Sequence, residues 1–491
     1  MGQENHGLFS TEVLDYNSVM SSDTFYLTTT LPYVNAAPHI GFALEIVAAD
    51  VIARYQRDLL NKEVVFNTGT DEHGQKIFQQ ALENKQDPQA YADEYAAKFD
   101  ELKQLLNLSY SNFIRTTDSS HQDAAQEFWR RCDANGYIYK NEYKAKYCVG
   151  CELEKTDSEL EDGKCPLHPT RELEFREEEN YFFKFSAFQK QLIELYEKNP
   201  EFVKPKGKQK EIANFVKQGL RDFSISRLKE KMPWGIPVPD DSEHVMYVWF
   251  DALVNYISTL GWPSDQENFA KFWPGVQLAG KDNLRQQSAM WQAMLMAADL
   301  PNSKKILING FIGVDGQKMS KSTGNVIAPS ELVERYGIDG ARYLIISLGV
   351  FGEDMDVSWK RLDEAYTADL ANGLGNLCSR VAKLCEKTQI TGSKWDEVNQ
   401  LFSNQMNNFD LTQSLKQIND LVSLADQFLS ENQPWKKEGN EQTDILKRSV
   451  EQIQEIVYHL QPFMPETAEK ILNHFNQPKI VAIEPLFPRL T

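Results

Sequence analysis

The residues with the clearest chemical potential lie in two short segments, one near the start of the chain and one well past its middle. His39 and Gly41 belong to the first segment, T-T-T-L-P-Y-V-N-A-A-P-H-I-G-F, at residues 28–42. An aromatic, β-branched strand pattern leads into a Pro- and Asn-containing loop, and apolar residues at helical spacing follow. A helix start attracts phosphate, a glycine there admits a bulky ligand, and a histidine adds a donor. The segment predicts a phosphate site, although H-I-G alone is more often a plain turn.

The second segment is G-Q-K-M-S-K-S-T-G-N, at residues 316–325. Lys318 and Lys321 flank Met-Ser, and glycines on both sides give the loop mobility. Two cations on a mobile loop are able to fold over a triphosphate and stabilise the charge that shifts onto pyrophosphate. Taken alone, a solvated basic loop would be the better interpretation, so the prediction depends on both segments occurring together.

A third polar cluster, T-G-T-D-E-H-G at residues 68–74, follows a strand-like run at residues 63–67. A helical pattern comes next, so strand, helix, strand and helix alternate from the start of the ordered pattern. This order predicts a parallel sheet with right-handed crossovers, in which ligands bind at the carboxyl ends of the strands. The cluster and H-I-G therefore fall on the same edge of the sheet, which favours a site over two chance loops.

Four potential metal ligands, Cys148, Cys151, Cys165 and His168, form two C-x-x-C/H pairs. Each pair contains a Gly or a Pro and forms a tight turn, and four sulfur and nitrogen ligands match tetrahedral Zn²⁺. Because four protein ligands leave no open coordination position, we expect a structural zinc. The six cysteines of the chain are too few for a disulfide framework, which favours a reducing compartment.

Size and composition narrow the class of protein. The chain has 491 residues, 41% of them hydrophobic and 25% charged, which fits a globular protein of several domains. No apolar run approaches the ~20 residues that span a bilayer, and no secretory signal pattern opens the sequence, so we expect a cytoplasmic protein without a membrane partner. The net charge of −19 argues against general nucleic-acid binding and leaves room only for a local basic surface.

Changes of pattern along the chain predict five segments. They are a flexible extension at residues 1–22, the first half of an α/β domain at 23–138, an insertion with the metal cluster at 139–244, the second half of the α/β domain at 245–360, and a helical bundle at 361–491. The apolar run at 245–250 predicts that the parallel sheet resumes there. Met20 is an alternative start to Met1.

H-I-G near the start of an α/β domain, together with K-M-S-K-S near its end, resembles the class I aminoacyl-tRNA synthetases. Further motifs resemble the methionyl-tRNA synthetase family and occur in its order: L-P-Y-V-N-A-A-P-H-I-G, T-G-T-D-E-H-G, the C-x-x-C and C-P-x-H knuckle, S-I-S-R, V-W-F-D-A-L, A-G-K-D-N and A-N-G-L-G-N-L. They extend over almost the whole chain and are highly specific.

The resemblance implies an α/β Rossmann-type catalytic domain with a zinc-binding insertion, followed by an all-α helical-bundle domain that binds the anticodon. It also implies that L-methionine and ATP form methionyl-adenylate and pyrophosphate, after which tRNA(Met) with its CAU anticodon accepts the aminoacyl group. One structural Zn²⁺ and Mg²⁺ bound with ATP are the implied metals. Since the methionine carboxylate is already ionised, positioning and charge stabilisation should provide most of the acceleration of the first step.

The motifs carry functional roles onto particular positions. For ATP they imply His39, Gly41, Gly280, Lys281, Asp282, Lys318 and Lys321, with His39, Lys318 and Lys321 as the catalytic residues. For methionine they imply Tyr33, Asp71, Arg227, Trp249, Ala252, Tyr256 and Gln287. Among these, Asp71 would pair with the ammonium group, and the aromatic walls suit a thioether. For the anticodon they imply Asn376, Arg380 and Trp435, because aromatic stacking and polar contacts bind single-stranded bases.

Two places depart from the family pattern. Phe42 stands where the family often has the second His of H-I-G-H, and a phenyl ring cannot donate to a phosphate. Gln286 and Gln287 stand where the family often has an aromatic residue and a His near methionine, although Gln287 keeps a hydrogen-bond donor. These changes put the catalytic contribution of position 42 and the selectivity of the pocket in doubt.

Two other functions remain open from the sequence. The first is another class I synthetase. The isoleucyl, leucyl and valyl enzymes normally carry a long editing domain, and no insertion in this sequence looks long enough to be one. A cysteinyl enzyme would hold its substrate on the zinc, and the four-ligand knuckle argues against that. The second is a catalytically altered, tRNA-binding paralogue, which the joint presence of the histidine, aspartate and lysines named above disfavours. Some family members continue into a dimer-forming domain; we see none before residue 491 and therefore expect a monomer.

Overall fold

The computed structural model describes residues 23–490 except 36, 152, 156–158, 320–324, 391 and 393, and only the backbone of 143–145, 153, 154, 176, 177 and 318. The predicted extension at 1–22 therefore lies outside the described residues. The strands in the described part are β1 Thr24–Thr28, β2 Glu63–Thr70, β3 Asn112–Arg115, β4 Ile138–Cys148, β5 Leu153–Lys155, β6 Glu174–Phe183, β7 Val203–Lys204, β8 Phe223–Ser224, β9 Ser226–Leu228, β10 Pro237–Val238, β11 Asp241–Met246, β12 Val276–Gly280, β13 Lys305–Asn309, β14 Ile312–Val314, β15 Gln317–Lys318 and β16 Met355–Val357.

Helices cover most of the remaining chain. The α-helices are α1 Ile40–Arg54, α2 Gln75–Glu83, α3 Pro88–Asp100, α4 Leu102–Leu105, α5 Ser119–Ala134, α6 Gln189–Lys198, α7 Lys206–Lys217, α8 Val248–Ala252, α9 Asn255–Ser258, α10 Gln266–Phe272, α11 Trp291–Ala297, α12 Pro329–Ser347, α13 Trp359–Ala365, α14 Asn376–Thr388, α15 Gln400–Asn407, α16 Leu411–Asn432, α17 Gly439–Leu460 and α18 Pro465–Phe475. Wider π-helical turns occur at Tyr55–Leu59, Gln286–Met290 and Tyr366–Gly375. None of the helices that could be searched is both long and apolar enough to cross a membrane.

Six strands form one parallel sheet in the order β3-β2-β1-β12-β13-β7. Leu27 of β1 pairs with Phe66 of β2 on one side and with Val276 of β12 on the other, so the two halves of the domain meet at its centre. The central strands are buried, as expected for a parallel sheet with helices on both faces. The predicted Rossmann-type fold is confirmed.

The insertion is built on an antiparallel sheet with the order β5-β4-β6-β8. Its long β4–β6 pair carries the metal cluster at one end, where Cys148 closes β4. A second small sheet, β10-β11-β9, follows.

The predicted return of the parallel sheet at 245–250 is wrong. Met246 ends β11, which runs antiparallel to β9, and residues 248–252 form α8. The strand beside β1 is instead β12. The error arose because a short apolar run does not distinguish a strand from a buried helix.

From α13 onwards the described chain is helical, as the sequence predicted, and it is fastened to the α/β part by one buried guanidinium. Arg342 of α12 pairs with Asp50 of α1 at 2.8 Å and donates to Phe463 O at 3.0 Å and to Leu106 O at 2.9 Å. Burial alone would raise the pKa of Asp50, yet Arg342 and Arg54 hold it below its usual value. The guanidinium therefore ties α1 to α12 and, through the carbonyls of Pro462 and Phe463, joins them to the helical region, with which they also share one apolar core.

Candidate active site and metal centre

The turn between β1 and α1 brings the two predicted phosphate-binding segments together. His39 is the N-cap of α1, and its Nδ1 accepts a hydrogen bond from the backbone N–H of Gly41 at 3.0 Å. A Cβ on Gly41 would lie 2.9 Å from the His39 ring, so a larger residue there would displace the ring from this position. The backbone N–H of Ile40 donates to Ile327 O at 3.0 Å, just beyond the 316–325 segment.

The structure describes the two lysines of the 316–325 segment only in part. Lys318 lies in β15, which pairs with Gly313 of β14, and its side chain is outside the described part. Lys321 falls outside the described residues altogether. The methyl group of Met319, between the two, would lie 3.6 Å from a Cβ on Gly41. The backbone thus carries the segment to the start of α1, and the roles of the two lysines stay predictions.

A cavity of about 440 Å³ opens in front of this turn. Its wall combines the β1–α1 loop, the start of α2, the metal knuckle and the loop after β12. Its lining includes Thr30, Tyr33, Asn35, His39, Phe42, Lys76, Phe99, Gly150, Cys151, Leu167, His168, Trp249, Asp282, Asn283, Gln286 and Phe311. Residues from the predicted ATP, methionine and metal sets therefore share one space.

The predicted methionine residues lie at the inner end of the site. The rings of Tyr33 and Trp249 make an edge contact, with centroids 6.2 Å apart and planes at 73°. Tyr33 also pairs with Asp71 through the backbone, since Val34 N–H donates to Asp71 O at 3.2 Å. The structure thus places a buried carboxylate directly behind an aromatic corner.

Gln287 lies beside the other predicted pocket residues. Its Nε2 donates to the hydroxyl of Tyr256 at 2.5 Å, and Tyr26 in turn donates to the carbonyl of Tyr256 at 2.8 Å. Ala252 is buried one turn before Tyr256. The amide oxygen of Gln287 and the indole N–H of Trp249 are buried without a hydrogen-bond partner among the described residues. Buried polar atoms are normally paired, so both are suited to meet a ligand.

The contacts described for Arg227 are with the strands of the insertion side of the site. Its Nη1 donates to Ser224 Oγ at 2.9 Å and to Ser226 O at 2.6 Å, and the guanidinium stacks on the ring of Tyr247 at 4.4 Å. It lines a separate cavity of about 560 Å³ between β6, β9 and α2. The predicted support of Asp71 by Arg227 stays a prediction.

The loop after β12 holds the remaining ATP candidates. Gly280 ends the strand, Asp282 is exposed to the cavity, and Lys281 pairs with Asp354 at 2.5 Å. Lys281 also lies 4.2 Å from the centre of the Phe311 ring. These contacts hold the lysine against the segment that leads to β14.

Glu45 is a functional candidate that the sequence reasoning missed. It is 4% exposed, on α1, and accepts hydrogen bonds from Thr30 N at 2.7 Å and Thr30 Oγ1 at 2.6 Å. Gly280 N–H also donates to it, and the Asn309 amide, oriented to satisfy its partners, approaches its Oε2 at 3.3 Å. Burial raises its pKa to about 7, against the opposing effect of the Thr30 bonds. A lone carboxylate within an otherwise apolar helix face was the available signal.

The four predicted metal ligands converge. Their donor atoms all lie within 4.8 Å of one another, and His168 presents Nδ1 at 3.2 Å from Cys151 Sγ and 3.8 Å from Cys148 Sγ. Cys151 Sγ lies 3.5 Å from Cys165 Sγ. Donors about 2.0–2.3 Å from a tetrahedral zinc are separated by roughly 3.3–3.8 Å, so the set fits Zn²⁺. A Cβ on Gly150 would come within 2.5 Å of the His168 ring, which explains the glycine in the knuckle.

Phe42 makes an apolar contact where the family pattern has a donor. Its ring meets Phe99 edge to face, with centroids 5.3 Å apart at 89°. It also lines the cavity, so it shapes the site without offering a hydrogen bond.

The three predicted anticodon residues lie in the helical region. Asn376 is the first residue of α14, and Arg380 follows one turn later on the same face. The guanidinium of Arg380 lies 6.0 Å from the ring of Trp435 and pairs with Asp426 of α16. Trp435 is 47% exposed, so an aromatic face and two polar side chains border one surface.

Comparisons with known proteins agree with this arrangement. A family model described as tRNA synthetases class I (M) matches residues 25–172 and 154–382. The methionine–tRNA ligase of Synechocystis sp. is 41% identical over 478 residues, which are 92% of this chain and 89% of that protein. The methionine–tRNA ligase of Rickettsia prowazekii is 38% identical over 480 residues, 93% of this chain and 94% of that protein.

Solved structures give the same result. The structure of Mycobacterium tuberculosis methionyl-tRNA synthetase in complex with methionyl-adenylate superposes with a TM-score of 0.88 at 33% identity, covering 95% of this chain and 100% of that one. The free form of the same synthetase gives 0.82 at 30% identity. With this identity over nearly the whole length, and with the His39 turn, the aromatic corner and the knuckle around one cavity, the chain belongs to the methionyl-tRNA synthetase family of class I aminoacyl-tRNA synthetases.

Proposed function

We propose that this chain attaches L-methionine to tRNA(Met) in two steps through methionyl-adenylate. The observation that carries the proposal is the convergence of the His39 turn, the Tyr33–Trp249 corner and the loop after β12 on one cavity. That cavity, at about 440 Å³, falls in the usual size range of small-molecule sites, and it lies at the carboxyl edge of the parallel sheet.

In the first step a methionine carboxylate oxygen attacks the α-phosphorus of ATP. A new P–O bond forms, the bond from the α-phosphorus to the bridging oxygen breaks, and pyrophosphate leaves with that electron pair. His39, at the start of α1, contacts the phosphates, and Gly41 leaves room for the nucleoside. Lys318 and Lys321 neutralise the departing pyrophosphate. Mg²⁺ enters as part of the ATP substrate.

Glu45 positions the nucleotide side of the site. It ties the end of β1 to the end of β12 through Thr30 and Gly280. The loop that it holds carries Lys281 and Asp282, which contact the ribose and the adenylate.

Methionine occupies the aromatic corner. Asp71 pairs with its ammonium group, and Arg227 supports that carboxylate; Tyr33, Trp249, Ala252 and Tyr256 enclose the side chain. Support comes from the burial of Asp71 and from the buried indole N–H and amide oxygen described above. Gln287, oriented by Tyr256, offers the second N–H of its amide to the thioether sulfur, which acts as a weak acceptor.

In the second step a hydroxyl of the 3′ adenosine attacks the methionyl carbonyl carbon. The C–O bond to the adenylate breaks, AMP leaves, and the hydroxyl proton passes to the leaving phosphate or to solvent. Asn376, Arg380 and Trp435 bind the CAU anticodon at the other end of the molecule; the cation beside an exposed indole supports this.

Zinc, held by Cys148, Cys151, Cys165 and His168, has a structural role. When bound, it cross-links the two turns of the knuckle, and with four protein ligands it leaves no position for substrate. Gly150, Cys151 and His168 also border the active-site cavity, so the order of the knuckle shapes that wall. The enzyme acts as a cytoplasmic monomer; sedimentation at the mass of a dimer would contradict the last point.

Methionine-dependent exchange of labelled pyrophosphate into ATP tests the proposal. We expect exchange to rise with L-methionine and not with L-cysteine, L-leucine or L-isoleucine. Aminoacylation of tRNA(Met) should follow, and a transcript with a changed anticodon should be a poor substrate. Exchange no higher with methionine than without any amino acid would refute the activity and favour a tRNA-binding paralogue.

A further inference from the structure

Asp251 is a buried carboxylate to which the proposed mechanism gives no role. It lies on α8, two residues after Trp249 and directly before Ala252. Its Oδ2 lies 2.7 Å from Nδ1 of His73, its Oδ1 lies 2.8 Å from Nε2 of His121, and both histidines are buried as well. Burial alone would raise the pKa of Asp251, yet the two histidines hold it below its usual value. The ionised carboxylate therefore accepts a hydrogen bond from each imidazole.

This network joins three parts of the fold. His73 lies in the turn between β2 and α2, and His121 lies on α5, where its Nδ1 is 2.9 Å from the hydroxyl of Ser258 on α9. The His73 ring also makes an edge contact with Trp234, with centroids 5.5 Å apart. The Trp234 indole N–H donates to the carbonyl of Glu72 at 2.5 Å, directly before His73. The orientation of His73 is therefore fixed from two sides.

A hydroxyl, an imidazole and a carboxylate in this order also occur in enzymes with a serine nucleophile. Such a nucleophile must reach a substrate, but Ser258 is only 7% exposed, and His121 and Asp251 are 0% exposed. The network therefore has no access to a substrate and acts through the residues that it holds.

Those residues belong to two walls of the methionine site. His73 follows Asp71 by two residues, and the proposed function places the methionine ammonium group at Asp71. Asp251 follows Trp249 by two residues, and Trp249 encloses the methionine side chain in the same proposal. The bond between His73 and Asp251 therefore connects the wall that holds one end of the amino acid to the wall that holds the other.

A second link holds the same elements together further along β2. Asn67 Nδ2 donates to Asn255 Oδ1 at 3.3 Å, and Thr259 Oγ1 donates to Asn67 Oδ1 at 2.9 Å. This link remains when the bond between His73 and Asp251 is removed. The loss of that bond should therefore act locally, at the methionine site.

We propose that His73 and Asp251 are positioning residues that set the distance between Asp71 and Trp249 and thereby select the length of the amino-acid side chain. The inference rests on the proposed function, which places methionine between these two walls. A side chain that is one methylene shorter or longer fits only if one wall moves. In a well-defined apolar pocket, one methylene changes recognition by about 10- to 200-fold.

Equilibrium dialysis with labelled amino acids measures binding without ATP or tRNA. The unchanged protein should bind methionine more tightly than S-methylcysteine, which is one methylene shorter, and ethionine, which is one methylene longer. In His73→Leu, the Kd of methionine should rise by about 10-fold, the equivalent of one hydrogen bond to a charged group. The ratio of the ethionine Kd to the methionine Kd should fall towards 1, because the distance between the walls is no longer fixed.

Two amide variants form a matched pair. The side-chain N–H of His73→Asn lies where imidazole Nδ1 lies, so this variant should keep the Kd and the ratio of the unchanged protein. The amide of His73→Gln corresponds to Nε2, so this variant should behave like His73→Leu and carries the test if His73→Leu does not fold. His459→Leu is the control, because His459 is a buried histidine of the helical region that accepts from Asn399 N–H at 2.8 Å. It should lower the Tm without changing either Kd.

The outcomes separate this inference from the proposed function. A lower Tm with an unchanged methionine Kd and an unchanged ratio in His73→Leu and His73→Gln would overturn the inference and leave the proposed function intact. Equal rises of the Kd in His73→Asn and His73→Gln would also overturn it, because the bond to Asp251 would not be the cause. The proposed function fails on a different result, the absence of methionine-dependent pyrophosphate exchange in the unchanged protein, which keeps the whole network.

Discussion

Glu45 of the first helix accepts two hydrogen bonds from Thr30, one from the backbone N–H at 2.7 Å and one from the hydroxyl at 2.6 Å. The contact joins α1 to the end of β1, and the same carboxylate reaches Gly280 at the end of β12. Asp282, on the following loop, adds like charge and helps burial to raise the pKa of Glu45 from 4.5 to about 7. A titrating group therefore lies beneath the nucleotide side of the site.

This relationship predicts a particular pH dependence of stability. Because the pKa of Glu45 is raised on folding, the native state binds more protons than the unfolded state between pH about 4.5 and 7. The contribution of Glu45 to stability is therefore complete below pH 4.5 and is lost as the pH rises through about 7. The shift corresponds to about 3 kcal/mol. Between pH 5 and pH 8, the Tm of Glu45→Gln should therefore fall by less than the Tm of the unchanged protein.

The same variant should impair ATP use. A glutamine offers one acceptor oxygen where the carboxylate offers two, so the contacts with Thr30 and Gly280 weaken and the loop of Lys281 and Asp282 is disturbed. We expect a higher KM for ATP in pyrophosphate exchange and an unchanged KM for methionine. Asp58→Asn on the same helical segment, where the carboxylate is exposed beside Arg57, provides the control. For the pH prediction above, Tm values of Glu45→Gln and the unchanged protein that fall in parallel between pH 5 and pH 8 would contradict the raised pKa of Glu45.

Gly150→Ala should weaken metal binding by the knuckle. A Cβ at position 150 would come within 2.5 Å of the His168 ring, so the histidine must move out of the ligand set. Zinc release to a chromogenic chelator should be faster and the Tm lower than in the unchanged protein. Gly207→Ala is the control, because a Cβ at position 207 meets no atom within 4 Å. Gly163→Ala would be a poor control, because the φ of +77° at that position strains any side chain. Equal zinc content and release in Gly150→Ala and Gly207→Ala would contradict the proposed ligand geometry.

Sequence patterns predicted those parts of the molecule that depend on local spacing. The Cys148–His168 ligand set follows from two short turns, and the parallel sheet follows from alternating strand and helix patterns. The run at 245–250 was assigned to the wrong element because its burial on all sides hides whether its period is that of a strand or a helix.

Local sequence patterns did not predict the contacts between distant segments. Arg380 and Trp435 were predicted to share one anticodon site from the family resemblance, but local patterns did not predict their contact, which the fold creates by bringing the guanidinium within 6.0 Å of the ring. Glu45 escaped notice since its partners lie at the ends of three different strands. A charged residue inside an apolar helix face shows that a buried partner must exist, but the fold alone determines which group that partner is.

Trp435→Ala should reduce kcat/KM for tRNA by about 5- to 150-fold, because a base loses its stacking surface. Methionine-dependent pyrophosphate exchange should not change, since the side chain lies in the helical region. Trp435→Phe should retain most of the efficiency. Leu424→Ala, at 58% exposure on α16, controls for removal of an exposed apolar group. A loss for Trp435→Ala that is equally large with a tRNA of another anticodon would indicate a contact with the backbone and not with the CAU bases.

Phe42→His should restore a donor that this active site lacks, at a cost in stability. The edge contact between Phe42 and Phe99 would be lost, and such aromatic pairs contribute about 0.5–1.5 kcal/mol, so the Tm should fall. The imidazole would face the cavity beside His39, within reach of the phosphates. A new hydrogen bond to a charged group is worth about 1.5 kcal/mol at the lower end of its range, so kcat for pyrophosphate exchange should rise about 10-fold.

Phe42→Leu separates the two effects of that substitution. It removes the aromatic contact without adding a donor, so its Tm should fall to a similar degree while kcat stays close to that of the unchanged protein. A decrease of kcat in both variants would mean that the ring of Phe42 itself positions the substrate through its contact with Phe99. An increase in Phe42→His alone would show that the enzyme functions without the second histidine at the expense of rate.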